Sequence, residues 1–179
     1  QRQVLPGLYY HLPPTQGKRN PWEASEDDLC ALLGSQKTQK AADTFLLESF
    51  GGLSPLLCRE LAFRVFGQVD FDLASMPDEE KRQAAERLFA ELQALHTGEK
   101  MPTVLLREKK PWDFTCVPIR QYEGLVSQET VPSFSALLDG FYAKRDLLER
   151  TRQKTQTLRK TLTNLHSRTA RKLQNQKKE

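Results

Sequence analysis

From Trp22 to Gly98 the apolar residues recur three and four apart, whereas the stretches on either side alternate instead. Gln1 to Leu12 alternates through Val4, Leu8, Tyr9, Tyr10 and Leu12, which predicts a strand interrupted at Pro6-Gly7. Pro13-Pro14 stops it, and Thr15 to Pro21 reads as loop. Ser25 with Asp28 three residues on forms a capping-box pattern that opens a short helix through Leu29, Leu32 and Leu33, ended by Gly34. A second helix is expected from about Thr38 to Ser49. Phe50-Gly51-Gly52-Leu53-Ser54 then reverses the chain. Ser54 is the N-cap candidate of the next helix and Pro55 suits its first position. Behind them Leu56, Leu57, Glu60, Leu61, Arg64 and Val65 make an apolar face edged by charge, and Gly67 closes it. From Pro77 to His96 an acidic start leads into Ala84, Ala85, Leu88, Phe89, Leu92 and Leu95, an amphipathic helix capped by Ser75 or a neighbour.

At Pro102 the period changes. Thr103–Arg107 and Phe114–Ile119 are short β-type runs, joined by a longer loop, Glu108–Asp113. Pro118 puts the second run at an edge or near its end, and the opening strand is the expected third partner. Gln121 to Val131 reads as connection. Pro132-Ser133 then launches a helix that runs from Phe134 to the end, about 46 residues or ~69 Å. In a seven-residue register its two inner positions are Phe141, Leu148, Thr155, Leu162, Thr169 and Lys144, Thr151, Leu158, Leu165, Lys172. Only Leu158, Leu162 and Leu165 are continuous, which argues against a strong parallel zipper and for one arm of an antiparallel pair. Such an arm can dimerise in isolation. The pattern predicts an α+β fold, mainly α, with a small antiparallel sheet, a helix-hairpin-helix unit and a long C-terminal coiled-coil helix. Its divisions are 1–21 (strand and loop), 22–98 (helical unit), 99–131 (β-hairpin and connection) and 132–179 (arm).

Composition changes this picture in one respect, the distribution of charge. The net charge is +4, from 27 basic and 23 acidic residues. Lys144 to Glu179 holds twelve basic residues and three acidic ones, so the rest of the chain is net acidic. A basic arm on an acidic body points to a polyanionic partner. Hydrophobic residues make up 38%, which suits a modest core with a polar extension. Cys30, Cys58 and Cys116 are odd in number and far apart, without a CxxC pair, a usage that fits a reducing cytoplasm. His11, His96 and His166 have no metal-ligand spacing, and no metal, cofactor or enzymatic activity is expected. No apolar run approaches the ~20 residues of a membrane helix, and no signal sequence leads the chain. It begins with Gln rather than Met, as a fragment would.

Two stretches could carry binding. The hairpin Gly51, Gly52, Leu53 and Ser54 presents backbone N–H groups and a positive helix end, which suits one phosphate without reading sequence. Arg59 and Arg64 are additional cations beside it. The plainer alternative is an αα-hairpin that only packs. In the arm Arg152, Arg159, Arg168, Arg171 and Lys172 form a basic footprint suited to RNA; a solvated coiled-coil face is the alternative.

Several segments together resemble one family. Leu5-Pro-Gly-Leu-Tyr-Tyr-His-Leu-Pro-Pro14 with Lys18-Arg-Asn-Pro21 resembles the "Y..PP…K.(D/N)P" segment of the RqcH/NEMF (NFACT) proteins, whose bacterial members bear the older name fibronectin-binding protein A, FbpA. Phe50 to Leu61 is similar to the family's "F.G.SP..A.E" hairpin, with Cys58 in place of a small residue. Pro132 to Tyr142 is similar to the "SFSEALD.YF" stretch that leads into its coiled coil, and Arg168 to Lys172 to the following "R..RKL". The resemblance implies the back of an NFACT-N domain, its helix-hairpin-helix and the outgoing coiled-coil arm. It also implies a cytoplasmic factor of ribosome-associated quality control that binds the large ribosomal subunit, rRNA and tRNA. The full-length proteins support untemplated tailing of stalled nascent chains, with alanine in bacteria. The family's front half, with its Asp-Arg pair, and its NFACT-R domain have no counterpart here, so tailing by this segment alone is not expected. The older name raises fibronectin binding by a surface adhesin as an alternative. A likeness to the formamidopyrimidine DNA glycosylase architecture raises a nucleic-acid-processing module as a further one.

Overall fold

The computed structural model describes Tyr9 and residues 16–36 and 38–176. The strand expected over the opening residues lies outside them, apart from Tyr9. The fold is α+β and mainly α, as the pattern predicts: five helices and one small antiparallel sheet among the described residues. The described chain divides into two compact units.

One unit takes the described residues up to Lys100 together with Val117–Gly124. Helix α1 (Glu26–Gly34) starts at the expected capping box. Ser25 Oγ accepts from Asp28 N–H at 3.2 Å, and Asp28 Oδ2 accepts from Ser25 N–H at 3.1 Å. Helix α2 spans Ala42–Ser49 and α3 Pro55–Phe66. Helix α4 spans Asp78–Thr97 and turns Ala84, Ala85, Leu88, Leu92 and Leu95 inward. Leu29 and Leu33 of α1 are buried, and α1 packs on α4. Each fully buried leucine contributes about 1.5–3 kcal/mol, so this interface rests on apolar burial rather than on surface ion pairs of about 0–1 kcal/mol.

Two helix starts differ from the sequence reading. Helix α2 begins at Ala42 rather than near Thr38, because Lys40 and Ala41 are tied to the strand-like segment before a short 3₁₀ turn, Leu73–Ser75. Lys40 N–H donates to Asp72 Oδ1 at 3.2 Å, and Ala42 N–H to the Phe71 carbonyl at 2.9 Å. Ser75 does not cap α4. Its hydroxyl donates to the Asp72 carbonyl at 2.7 Å, and α4 starts after Pro77 without a side-chain cap. The other end of α4 is closed by Lys100, whose ammonium donates to the carbonyls of Leu95 and Gly98, a cation on the negative end of the helix.

The other unit takes Met101–Cys116 and the described residues from Leu125 onward. Its sheet has the order β2–β1–β3, both pairings antiparallel, with β1 at Thr103–Arg107, β2 at Lys110–Thr115 and β3 at Ser127–Thr130. The loop between β1 and β2 is two residues, Glu108 and Lys109, not the six expected. The third strand is β3, inside the stretch read as connection. Its residues, Ser-Gln-Glu-Thr, are all exposed and carry no apolar alternation, so only main-chain pairing with β1 defines it. Helix α5 (Phe134–Gln176) starts with Ser133 Oγ accepting from Ala136 N–H at 3.1 Å. Leu137 and Phe141 are buried at its base, and Phe114 of β2 meets Phe141 edge-on at 5.0 Å.

Candidate nucleic-acid interface

The glycine hairpin sits between α2 and α3. Phe50 is 0% exposed and Leu53 7%, so two apolar anchors fix a loop whose tip, Gly52 and Ser54, faces solvent. Gly52 has φ +78°, a conformation that side chains other than glycine's adopt only with strain. Gly51 is different: a Cβ there would meet Arg19 O and Lys18 Cβ at 3.8 Å, ordinary contact. Ser54 Oγ accepts from Leu57 N–H at 3.2 Å, and Pro55 occupies the first turn, as expected. The positive end of α3 thus opens beside an exposed turn.

Two cations at this turn escape the sequence reading. Gly51 N–H donates to the Arg19 carbonyl, and Arg19 N–H to the Ser49 carbonyl, both at 2.9 Å. These bonds lay Lys18 and Arg19 along the hairpin, Arg19 exposed and Lys18 half-buried. Their signal is present as part of the Lys18-Arg-Asn-Pro21 motif; what the motif lacks is the pairing across more than thirty residues that brings it to Gly51. Arg59 is exposed, with its guanidinium 5.8 Å from the Tyr122 ring centroid.

Arg64 is held inside the unit. Its Nε donates to Glu60 Oε1 at 2.6 Å, Nη1 to Glu91 Oε2 at 3.1 Å and Nη2 to the Pro118 carbonyl at 2.7 Å. Burial alone would lower its pKa; the hydrogen bonds and charges of Glu60 and Glu91 more than offset that and raise it. Glu60, 0% exposed, also accepts from the backbone N–H groups of Arg120 at 2.9 Å and Gln121 at 3.1 Å. This arrangement closes Val117–Gly124 onto α3 and leaves Arg64 little capacity for a phosphate.

In the second unit, Arg152, Arg159, Arg168, Arg171 and Lys172 are exposed, and among the described residues no cation of α5 lies in an ion pair. Helical spacing places Arg152 and Arg159 on one flank of a leucine line, Arg168 and Lys172 on the other, and Arg171 behind it. Leu158, Leu162 and Leu165 form that line, with Leu147, Leu148 and Leu173 on the broader face around it, each 45–67% exposed. The hydroxyls of Thr151, Thr155, Thr157, Thr161, Thr163 and Thr169 donate to carbonyls four residues back, so their protons are engaged within the helix.

Two other chemistry-bearing residues, His96 and Cys58, are engaged in packing. His96 stacks on Trp22 at 5.0 Å. Cys58 is buried, and desolvation, with the charge of Asp43 second, pushes its thiol pKa up to about 12. Among the described residues no group of three His, Cys, Asp or Glu could hold a metal ion, and no helix is long and apolar enough to cross a membrane.

Residues 1–179 match the family described as NFACT N-terminal and middle domains. The chain is 32% identical over 172 residues to the Rqc2 homolog RqcH of Bacillus subtilis (strain 168), covering 96% of this chain and 27% of that protein. Its structure is similar to the crystal structure of the fibrinogen binding protein from Staphylococcus aureus, with a TM-score of 0.51 and 26% identity over 78% of this chain and 46% of that one. The chain thus spans less than half the length of either relative. With the hairpin and arm motifs in the predicted order, this chain belongs to the family of NFACT N-terminal and middle domains.

Proposed function

We propose that this chain is an RNA- and ribosome-binding segment of a cytoplasmic factor of ribosome-associated quality control. In this reading the full protein binds stalled large ribosomal subunits and tRNA and supports alanine tailing of nascent chains. The segment binds rather than catalyses. One observation carries the reading: a long exposed helix whose arginines and lysines have no carboxylate partner among the described residues. Charges left without internal partners are available to phosphate. The name of the Bacillus subtilis relative agrees with it. The hairpin, with Lys18, Arg19 and Arg59 around Gly52 and Ser54, serves as a positioning contact to the RNA backbone.

Filter binding of tRNA to the 179-residue chain across a salt series tests this. Affinity is expected to fall steeply with salt. Replacing Arg152, Arg159, Arg168, Arg171 and Lys172 by Gln should flatten the log–log slope by roughly 3 to 5, at about 0.7–0.9 per phosphate contact. Absence of binding at low salt, or a slope unmoved by those changes, overturns the proposal. The name of the Staphylococcus aureus neighbour favours a second reading, binding of a host protein. Fractionation of the full-length protein separates the two: co-sedimentation with large subunits supports the first, exclusive surface location the second.

A further inference from the structure

The tip of the β1–β2 hairpin is built in a way its pairing does not need. Glu108 and Lys109 form the two-residue turn with φ +53° and +63°. Positive φ at both positions is the geometry of a type I′ turn, which Asn-Gly or Gly-Gly adopts with little strain and charged side chains do not. The chain nonetheless keeps charge there. Arg107, Glu108, Lys109 and Lys110 are all exposed, and among the described residues none of the three cations lies in an ion pair.

The strand beyond the turn is irregular as well. Leu106 pairs with Pro111 and Leu105 with Asp113, so Trp112 is an extra residue in a β-bulge. Pro111 has no N–H to give the ladder at that point. Bulges re-aim side chains, and here Trp112 as a residue is 39% exposed. Trp112 lies two residues from Lys110, on the order of 7 Å along the strand. An exposed tryptophan beside three cations on a strained turn is the combination that holds unpaired nucleotides, base against ring and phosphates against ammonium and guanidinium groups.

We infer that this hairpin tip is a second, separate RNA contact that takes an unpaired stretch, one base stacking on Trp112 and the adjoining phosphates lying against Arg107, Lys109 and Lys110. It rests on the RNA-binding reading for its ligand class, but not on the arm. Glu108 and Lys109 share the apex of the turn and their charges cancel, so an anionic membrane meeting the apex finds no net attraction, whereas a strand of RNA can lie along the flank beside Arg107 and Lys110.

The test uses the 179-residue chain with two probes, a twelve-nucleotide oligoadenylate and a blunt twelve-base-pair RNA duplex. In the Trp22→Phe background, which leaves Trp112 as the sole indole, oligoadenylate should quench tryptophan emission. Trp112→Leu should weaken oligoadenylate binding at least fivefold while duplex binding changes less than twofold. Lys109→Ala with Lys110→Ala, both at exposed positions, should weaken it three- to tenfold and flatten the salt slope by about 1.4. Glu108→Asn with Lys109→Gly should raise the melting temperature and yet weaken binding, a pair of signs that a purely structural turn would not give. If oligoadenylate binds without quenching and the hairpin variants bind as the parent does, while the arm variant loses binding, the inference fails and the general reading stands. If neither probe nor tRNA binds, both fail. If phosphatidylserine vesicles quench Trp112 and oligoadenylate does not, the tip is a membrane contact and the inference is overturned.

Discussion

Replacing Glu60 by Ala strands three donors at once: Arg64 Nε and the backbone N–H groups of Arg120 and Gln121. Arg64 keeps Glu91 and the Pro118 carbonyl, so the cost is that of the stranded donors, at about 1–3 kcal/mol each. The urea midpoint should fall accordingly, with the slope unchanged. Arg64→Ala leaves the buried Glu60 carboxylate with its two amides but without its salt-bridge partner, so it should destabilise by about 3–5 kcal/mol. An effect below about 1 kcal/mol for Glu60→Ala would mean that Val117–Gly124 is held by its apolar contacts alone. The i, i+4 relation of Glu60 and Arg64 is visible in the sequence. Their tie to Arg120 is not, because no periodicity links positions sixty residues apart. This is also why Arg64 reads as a candidate phosphate ligand. Cys58 gives a second test at this scale. The unfolded thiol ionises near its ordinary value of 9.0, whereas the folded one keeps its proton up to about 12. The unfolded state therefore deprotonates first, and this group's contribution makes stability fall as pH rises from about 9 toward 12. At pH 8 iodoacetamide should modify Cys30 and Cys116, both partly exposed, well before Cys58. Mass spectrometry of partial digests reads the order; equal rates would contradict the burial.

At the scale of elements, the helices are readable wherever caps and apolar spacing agree. Ser25, Ser54 and Ser133 all accept the bond from the first turn that their positions suggest. Ser54→Ala should destabilise the helical unit by about 1 kcal/mol, the usual loss for an N-cap, measured as a shift in thermal midpoint. No shift would imply that Pro55 and the packing of Leu53 suffice to start α3. The sheet is half readable. The apolar pattern of β1 is visible, but β3 is wholly polar and the turn at Glu108-Lys109 lacks the residues that signal a two-residue hairpin. Main-chain pairing decides both, and sequence pattern does not carry it. Lys18 and Arg19 belong to the same class of omission, since a parallel bridge to Phe50 places them at the hairpin.

At the scale of the whole chain, the charge division is fully visible: net acidic before Lys144 and strongly basic after it. The exposed leucines of α5 add a second expectation. Six leucines lie on one broad face of a helix, each about half exposed or more, and this exceeds what an isolated helix in water keeps bare without consequence. Sedimentation equilibrium should therefore show concentration-dependent self-association of the 179-residue chain, stronger in high salt, where repulsion between the flanking arginines is screened. Leu158→Lys with Leu162→Lys should abolish it. A monomer at every concentration and salt would show that the cations alone keep these faces apart.

The closure of the helical unit by Val117–Gly124 also has a consequence for the time course of synthesis. The carboxylate of Glu60 and the face of α3 that receives this segment emerge long before it, since the chain must first build both strands of the hairpin. At about 5–20 residues per second, the interval between Lys100 and Gln121 is on the order of 1–4 s. For that interval the nascent helical unit holds an open flank with its key carboxylate in water. A chaperone, or a premature stop, would meet the protein in that state.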